Sequence, residues 1–129
     1  WFEMEEGREQ YIKESAEQIC IGAAKDTEFV GFLCLKETGK DTLELAVMGV
    51  LKEYHRQGIG RGMFMMAKNI AREKGYSFLQ VKTVQMGKYE DYDDTNRFYI
   101  SLGFKEFEVF PTLWDEANPC QIYVMSVER

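Results

Sequence analysis

Residues 49–64 read GVLKEYHRQGIGRGMF, and the segments on either side of them set the fold. Upstream, Thr42–Val50 (TLELAVMGV) is rich in β-formers and reads as a strand. Downstream, Met63, Phe64, Met66, Ala67, Ile70 and Ala71 fall on one face of an amphipathic helix spanning Arg61–Lys74, which stops before Gly75. The stretch therefore turns a strand into a helix. With a helix from Ile59 onward, Gln57 to Arg61 supply the first backbone amides, which have no intrahelical acceptor and face whatever lies ahead of the helix. Gly58 and Gly60 allow backbone to approach a ligand closely, and Arg56 and Arg61 add positive charge. The combination suits a pyrophosphate better than a carboxylate. Residue chemistry leaves a second reading open, a glycine-rich turn that merely permits tight strand-to-helix packing. No Lys-Ser/Thr pair follows the glycines, so this is no Walker loop, and their spacing fits a dinucleotide fingerprint poorly.

Working outward, Glu5–Gln18 carries Tyr11, Ile12 and Ala16 at helical spacing and predicts a helix. Gln18–Ala24 and Glu28–Lys36 predict strands joined by a turn at Lys25–Thr27, and 37–41 (ETGKD) predicts a hairpin turn with Gly39 at positive φ. These elements and Thr42–Val50 form an antiparallel meander. Beyond the long helix, Ser77–Val84 is a strand and 85–94 (QMGKYEDYDD) a polar loop. Thr95–Leu102 predicts a short helix, N-capped by Asp94 and ended at Gly103. Strands at Lys105–Phe110 and Gln121–Val127 flank a loop, 110–120 (FPTLWDEANPC). A strand–helix–strand unit inside an antiparallel meander implies one parallel pair, in a single mixed α+β domain over residues 1–129.

The 129 residues carry 22 acidic and 16 basic side chains, a formal charge of −6. That balance argues against non-specific nucleic-acid binding, which needs a basic footprint. Cys20, Cys34 and Cys120 are widely spaced and odd in number, which argues against a metal set or a complete disulfide framework, and Cys20 and Cys34, in apolar runs, read as small buried hydrophobes. His55 is the single histidine, so no metal site is expected. No apolar run is long enough to span a bilayer and no signal peptide is evident, which makes a cytoplasmic location without membrane association the default expectation.

GVLKEYHRQGIGRGMF closely resembles motif A of the GNAT superfamily of N-acetyltransferases, in which Gln/Arg-x-x-Gly-x-Gly/Ala lies between a strand and a helix. Separately, 96–107 (NRFYISLGFKEF) resembles the family's FY-x-x-x-GF segment. Together the two cover about half the chain, and the order of elements agrees. The resemblance implies a central, mostly antiparallel sheet with one parallel pair splayed at the cofactor site and helices on both faces. There are departures. His55 stands where the family usually has Gln or Arg, and a shifted register starting at Gln57 also fits, with Gly60 and Gly62. The family's first strand and helix are not obvious, consistent with a missing N-terminal piece. Its usual Asn before the tyrosine helix is absent at the normal offset, Asn96 lying much closer to Tyr99.

By resemblance the ligand is acetyl-coenzyme A. Its pyrophosphate lies on the amides of Gln57, Gly58, Ile59, Gly60 and Arg61, with His55, Arg56 and Gly62 close by. Its pantetheine arm pairs with the backbone of Met48 and Val50 like an added strand, past an edge that Gly49 leaves open. Tyr99 is the candidate general acid that protonates the leaving thiolate. Glu44 is the candidate general base, a solvated strand glutamate being the alternative. Strict alternation places Leu43, Leu45 and Val47 on one face and Glu44, Ala46 and Met48 on the other. Asn96 and Arg97 are candidate coenzyme contacts. Tyr89, Glu90, Asp91, Tyr92, Asp93 and Asp94, with Trp114, Asp115 and Glu116, form an acidic aromatic set that either lines a cleft for a cationic amine or is simply solvated. The implied activity is transfer of acetyl from acetyl-coenzyme A to a primary amine, on a small molecule or a peptide, by direct attack in a ternary complex. A non-catalytic acyl-coenzyme A-binding module on the same fold is the alternative, and a homodimer is left open by the family's habits.

Overall fold

The computed structural model of the chain describes residues 2–4, 8–14 and 18–127. Eight strands form one sheet: β1 (Phe2–Met4), β2 (Arg8–Glu14), β3 (Gln18–Lys25), β4 (Glu28–Gly39), β5 (Thr42–Val50), β6 (Phe78–Val84), β7 (Lys105–Asp115) and β8 (Asn118–Ser126). Among the described residues two helices, α1 (Ile59–Glu73) and α2 (Glu90–Leu102), and one 3₁₀ turn at Lys52–Tyr54 accompany the sheet. The strands lie in the order β1-β2-β3-β4-β5-β6-β8-β7. Every pairing is antiparallel except β5 with β6, as the mixed α+β reading requires.

That one parallel pair is short. β5 and β6 are in register only over Thr42–Glu44 and Phe78–Gln80, after which the strands part. A β-bulge begins the separation: Cys34 faces Val47 and Leu35 faces Leu45, leaving Ala46 unpaired. The extra residue overturns strict alternation. Met48, opposite Leu33, returns to the Leu45 face, while Val47 joins the face of Glu44.

α1 buries Ile59, Met63, Phe64, Ala67, Ile70 and Ala71, the stripe seen in the sequence, against β3 to β6. Its end is a Schellman motif: Tyr76 donates its amide to Ala71 O at 2.9 Å and Gly75, at φ 85°, donates to Arg72 O at 3.2 Å. Tyr99, Leu102 and Phe104 join the same core as Ile21, Leu33 and Leu45. The resemblance implies helices on both faces, whereas among the described residues α1 and α2 share one.

Several further expectations are corrected. Where a helix is predicted over Glu5–Gln18, residues 8–14 form strand β2, paired in full with β3; the flanks 5–7 and 15–17 lie outside the described residues. Pairing with a neighbour outweighs weak local periodicity there. The predicted loop 85–94 already enters α2 at Glu90, with Tyr89 rather than Asp94 as its N-cap. Acidic residues in a first helical turn complement the helix dipole, so EDYDD is a helix start. The loop predicted over 110–120 is strand almost throughout, the turn falling at 116–117. Gly39 ends β4 and is absent from the positive-φ positions. Cys20 and Cys34 are opposite residues of the β3–β4 hairpin and are joined as a disulfide, not left as lone hydrophobes. Cys120 is free and buried.

Candidate active site

The separation of β5 from β6 strips two strand edges of their partners. Leu51 donates its amide to Val30 O at 2.8 Å, which fixes the phase of the β4–β5 ladder. In that phase Gly49 and Val47 spend their peptide groups on β4, and Met48 and Val50 turn theirs toward the opening. On the other side, Gln85 donates to Pro119 O at 2.9 Å, so Val84 likewise faces the opening rather than β8.

The chain satisfies some of these groups itself. Asn96, fully buried on α2, donates its amide to Val84 O at 2.9 Å and to Tyr92 O at 2.6 Å, and accepts from the Tyr123 hydroxyl at 2.6 Å. Its capacity is used by the fold, and the expected coenzyme contact is corrected: Asn96 binds α2 to β6 and β8. His55 donates from Nε2 to Val50 O at 2.8 Å, so its ring faces the strand edge. Gly49 makes room for the Phe32 ring, which a Cβ there would meet at 2.8 Å.

At the mouth of the opening lies the glycine loop that leads into α1. Arg56 at φ 62° and Gly58 at φ 80° both take left-handed backbone, which turns successive amides inward. No side chain caps α1, and its first helical bond runs from Gly62 N to Gly58 O at 2.9 Å. The amides of Ile59, Gly60 and Arg61 therefore have no intrahelical acceptor. Gln57 lies in the loop with its side-chain amide on Glu53 O at 3.2 Å. Gly60 is needed for space, since a Cβ would stand 2.9 Å from the Met48 methyl and 3.2 Å from the Phe98 ring. Arg56 is exposed and has no acidic partner among the described residues. Arg61 reaches across to Ser101 Oγ at 3.1 Å and ties the start of α1 to α2.

Inside the opening lies a groove of about 580 Å3, lined by Met48 of β5, Lys82, Thr83 and Val84 of β6, Tyr92, Thr95 and Tyr99 of α2, and Trp114, Asp115 and Asn118 of the β7–β8 hairpin. Tyr99 is held there by the end of its own helix. Phe104 donates its amide to Tyr99 O at 3.2 Å and Gly103, at φ 106°, donates to Ile100 O at 3.0 Å, a second Schellman motif. Tyr99 and Phe104 are the apolar pair that accompanies such a motif, their rings 5.9 Å apart. The spacing Tyr-x-x-x-Gly-Phe thus has a mechanical cause. Burial pushes the Tyr99 phenol up to about 12, so it is a proton donor throughout the neutral range. Its hydroxyl has no hydrogen-bond partner among the described residues.

Glu44 is buried on the face away from α1, where the strands part. Gln80 donates to its Oε1 at 3.1 Å, and Lys82 Nζ lies 3.0 Å from the same oxygen. Oε2 has no partner among the described residues. Of the expected acidic aromatic set, Tyr92, Trp114 and Asp115 come together in the groove. The others do not all join them: Asp93 accepts from Gly87 N at 2.7 Å, and Asp94 pairs with the exposed Arg97 at 3.0 Å. Sequence reasoning missed Lys82 and Thr83. The signal for them is the parallel register of β6 with β5, which sets both beside the Glu44–Met48 segment.

Uncapped helix-start amides, a strand edge without its partner and a buried acid thus lie around one opening. Residues 1–104 match the family model described as the acetyltransferase (GNAT) family, and the chain belongs to that family. No curated protein sequence matches the chain. Solved structures with the same fold include a GNAT-family acetyltransferase described from Desulfovibrio desulfuricans, 22% identical, with a TM-score of 0.79 over 86% of this chain and 70% of that one. An acetyltransferase of the family from Elizabethkingia anophelis with acetyl-CoA bound is 14% identical, with a TM-score of 0.78 over 95% of this chain and 99% of that one. A streptothricin-type acetyltransferase from Bacillus anthracis in complex with acetyl coenzyme A is 18% identical, with a TM-score of 0.78 over 88% and 64% of the two chains. At these identities the likeness concerns the fold.

Proposed function

We propose that the chain is an N-acetyltransferase that takes acetyl-coenzyme A as donor and passes the acetyl group directly to a primary amine. One observation supports this above the rest: a pyrophosphate cradle, the unpaired Met48 edge and the Tyr99 hydroxyl succeed one another along a single opening. Bound acetyl-coenzyme A supplies an activated thioester, open to attack by a neutral amine. The amides of Ile59, Gly60 and Arg61, with Arg56 beside them, hold the pyrophosphate. Met48 offers its amide and carbonyl to the pantetheine arm, as a neighbouring strand would. Tyr99 gives its proton to the departing sulfur, and Glu44 takes one from the acceptor ammonium through Oε2, directly or through water. Tyr92, Trp114 and Asp115 receive the acceptor at the groove's outer end, where aromatic faces and a carboxylate favour a cationic amine.

The alternative of a non-catalytic acyl-coenzyme A-binding module has one observation in its favour, because Glu44 Oε1 is already engaged by Lys82 and Gln80. A panel of amines (polyamines, aminoglycosides, amino acids and peptides with free N-termini) assayed for thiol release and acetylated product separates the two. Turnover on any of them establishes the transferase. Tight acetyl-coenzyme A binding with no turnover on all of them supports the binding module.

A further inference from the structure

Thr83 is the polar group in the groove that neither the fold nor the proposed chemistry uses. It is 5% exposed, lines the groove together with Met48 and Tyr99, and its hydroxyl has no hydrogen-bond partner among the described residues. A buried hydroxyl left unpaired costs stability, and such groups in folded proteins are commonly completed by a ligand or water. Its position narrows the choice. Glu44 pairs with Gln80, so Thr83, three residues further along β6, comes level with Met48 once the bulged Ala46 is discounted. Thr83 therefore faces Met48 across the opening, beyond the point where the strands part. A coenzyme arm that enters at the loop beside Val50 and runs along β5 past Met48 delivers its thioester to this level. Tyr99 waits there from the α2 side. Two neighbouring polar side chains are engaged elsewhere: Asn96 donates both its amide hydrogens within the fold, and Lys82 points to Glu44.

We propose that the Thr83 hydroxyl donates a hydrogen bond to the acetyl carbonyl oxygen of the bound coenzyme, orienting and polarising the thioester. The inference rests on the coenzyme reading of the site and adds to it a residue that distinguishes acetyl-coenzyme A from coenzyme A. The test is calorimetric and needs no acceptor. Dissociation constants for acetyl-coenzyme A and for coenzyme A are measured on the wild type, on Thr83→Val, which keeps the shape and removes the hydroxyl, and on Thr83→Ser, which keeps the hydroxyl. Loss of one hydrogen bond lowers the preference for the acetylated form by roughly three- to tenfold in Thr83→Val, while affinity for coenzyme A stays the same and Thr83→Ser keeps the wild-type ratio. The melting temperature of unliganded Thr83→Val is no lower than that of the wild type, because the hydroxyl it removes is unpaired. Thr83→Ala provides a second hydroxyl-free protein and loses the same preference. A ratio unchanged within twofold in both hydroxyl-free variants overturns the assignment while leaving the coenzyme site intact. No binding of either ligand to the wild type overturns both.

Discussion

Replacing Asn96 by alanine is expected to weaken the fold far more than a surface asparagine would, and to do so without removing a coenzyme contact. The side chain is 0% exposed and makes bonds of 2.9 Å to Val84 O, 2.6 Å to Tyr92 O and 2.6 Å to the Tyr123 hydroxyl. Tyr92 O lies within α2 and keeps a helical donor, so two groups are orphaned: a carbonyl that the parting of β5 and β6 turned away from any strand, and a buried phenol. At about 1–3 kcal/mol for each unsatisfied group, the loss is roughly 2–6 kcal/mol. Against a total of about 5–15 kcal/mol this is a large share, worth about 10 °C or more in melting temperature for a domain of this size. Urea unfolding followed by circular dichroism gives the stability, and calorimetry with acetyl-coenzyme A below the lowered transition gives the affinity. The account expects a large drop in the first and less than threefold change in the second. A variant of unchanged stability whose affinity falls tenfold would refute the reasoning and return Asn96 to the ligand.

Tyr99→Phe is expected to lower kcat by roughly 100-fold or more with little change in the dissociation constant for acetyl-coenzyme A, as stopped-flow thiol detection would read. Tyr99 also carries a stability signature. Its pKa is about 12 in the fold, against 10.0 for the free side chain, so it stays protonated there while the unfolded chain ionises. Its contribution is complete below pH 10 and is lost as pH climbs from 10 to 12, on the order of 2–3 kcal/mol. Melting curves across that interval should fall less steeply for Tyr99→Phe than for the wild type, and parallel curves would count against the buried phenol. In the β3–β4 hairpin, Asp26 at φ 52° and Thr27 at φ 71° form a turn with both central residues left-handed, a costly conformation for a β-branched side chain. Thr27→Gly should therefore stabilise the protein by up to about 1 kcal/mol, net of the added freedom of the unfolded chain, in the same urea titration; destabilisation would contradict the turn assignment.

Local chemistry made part of this molecule legible from sequence. β5 was readable to its ends because nine β-rich residues lie between turn residues, and α1 because its apolar stripe ends at a glycine that caps it. The Tyr99 segment was readable through its family resemblance and its helix-ending glycine, and the structure supplies the physical reason, a Schellman motif closed by Tyr99, Gly103 and Phe104. What stayed hidden depends on partners. The bulge at Ala46 exists only in relation to β4, and without it Met48 is assigned to the wrong face. Cys20 and Cys34 meet because the hairpin turns at Asp26–Thr27, and neither flanking sequence announces the pairing. Glu90–Asp94 reads as a solvated loop until the helix dipole gives its charges a place. Lys82 and Thr83 become site residues only through the register of β6 against β5.

The central claim is that the opening beside YHRQGIGRG holds acetyl-coenzyme A, and thermal denaturation of the chain with acetyl-coenzyme A, ATP and NAD in parallel tests it most directly. At a ligand concentration about 100 times the dissociation constant, acetyl-coenzyme A should add about 2.7 kcal/mol and raise the melting temperature by several degrees. ATP and NAD offer a pyrophosphate without a pantetheine arm to lie along Met48, and at the same concentration they should shift it little. No shift with acetyl-coenzyme A, or an equal shift with all three, would contradict the account.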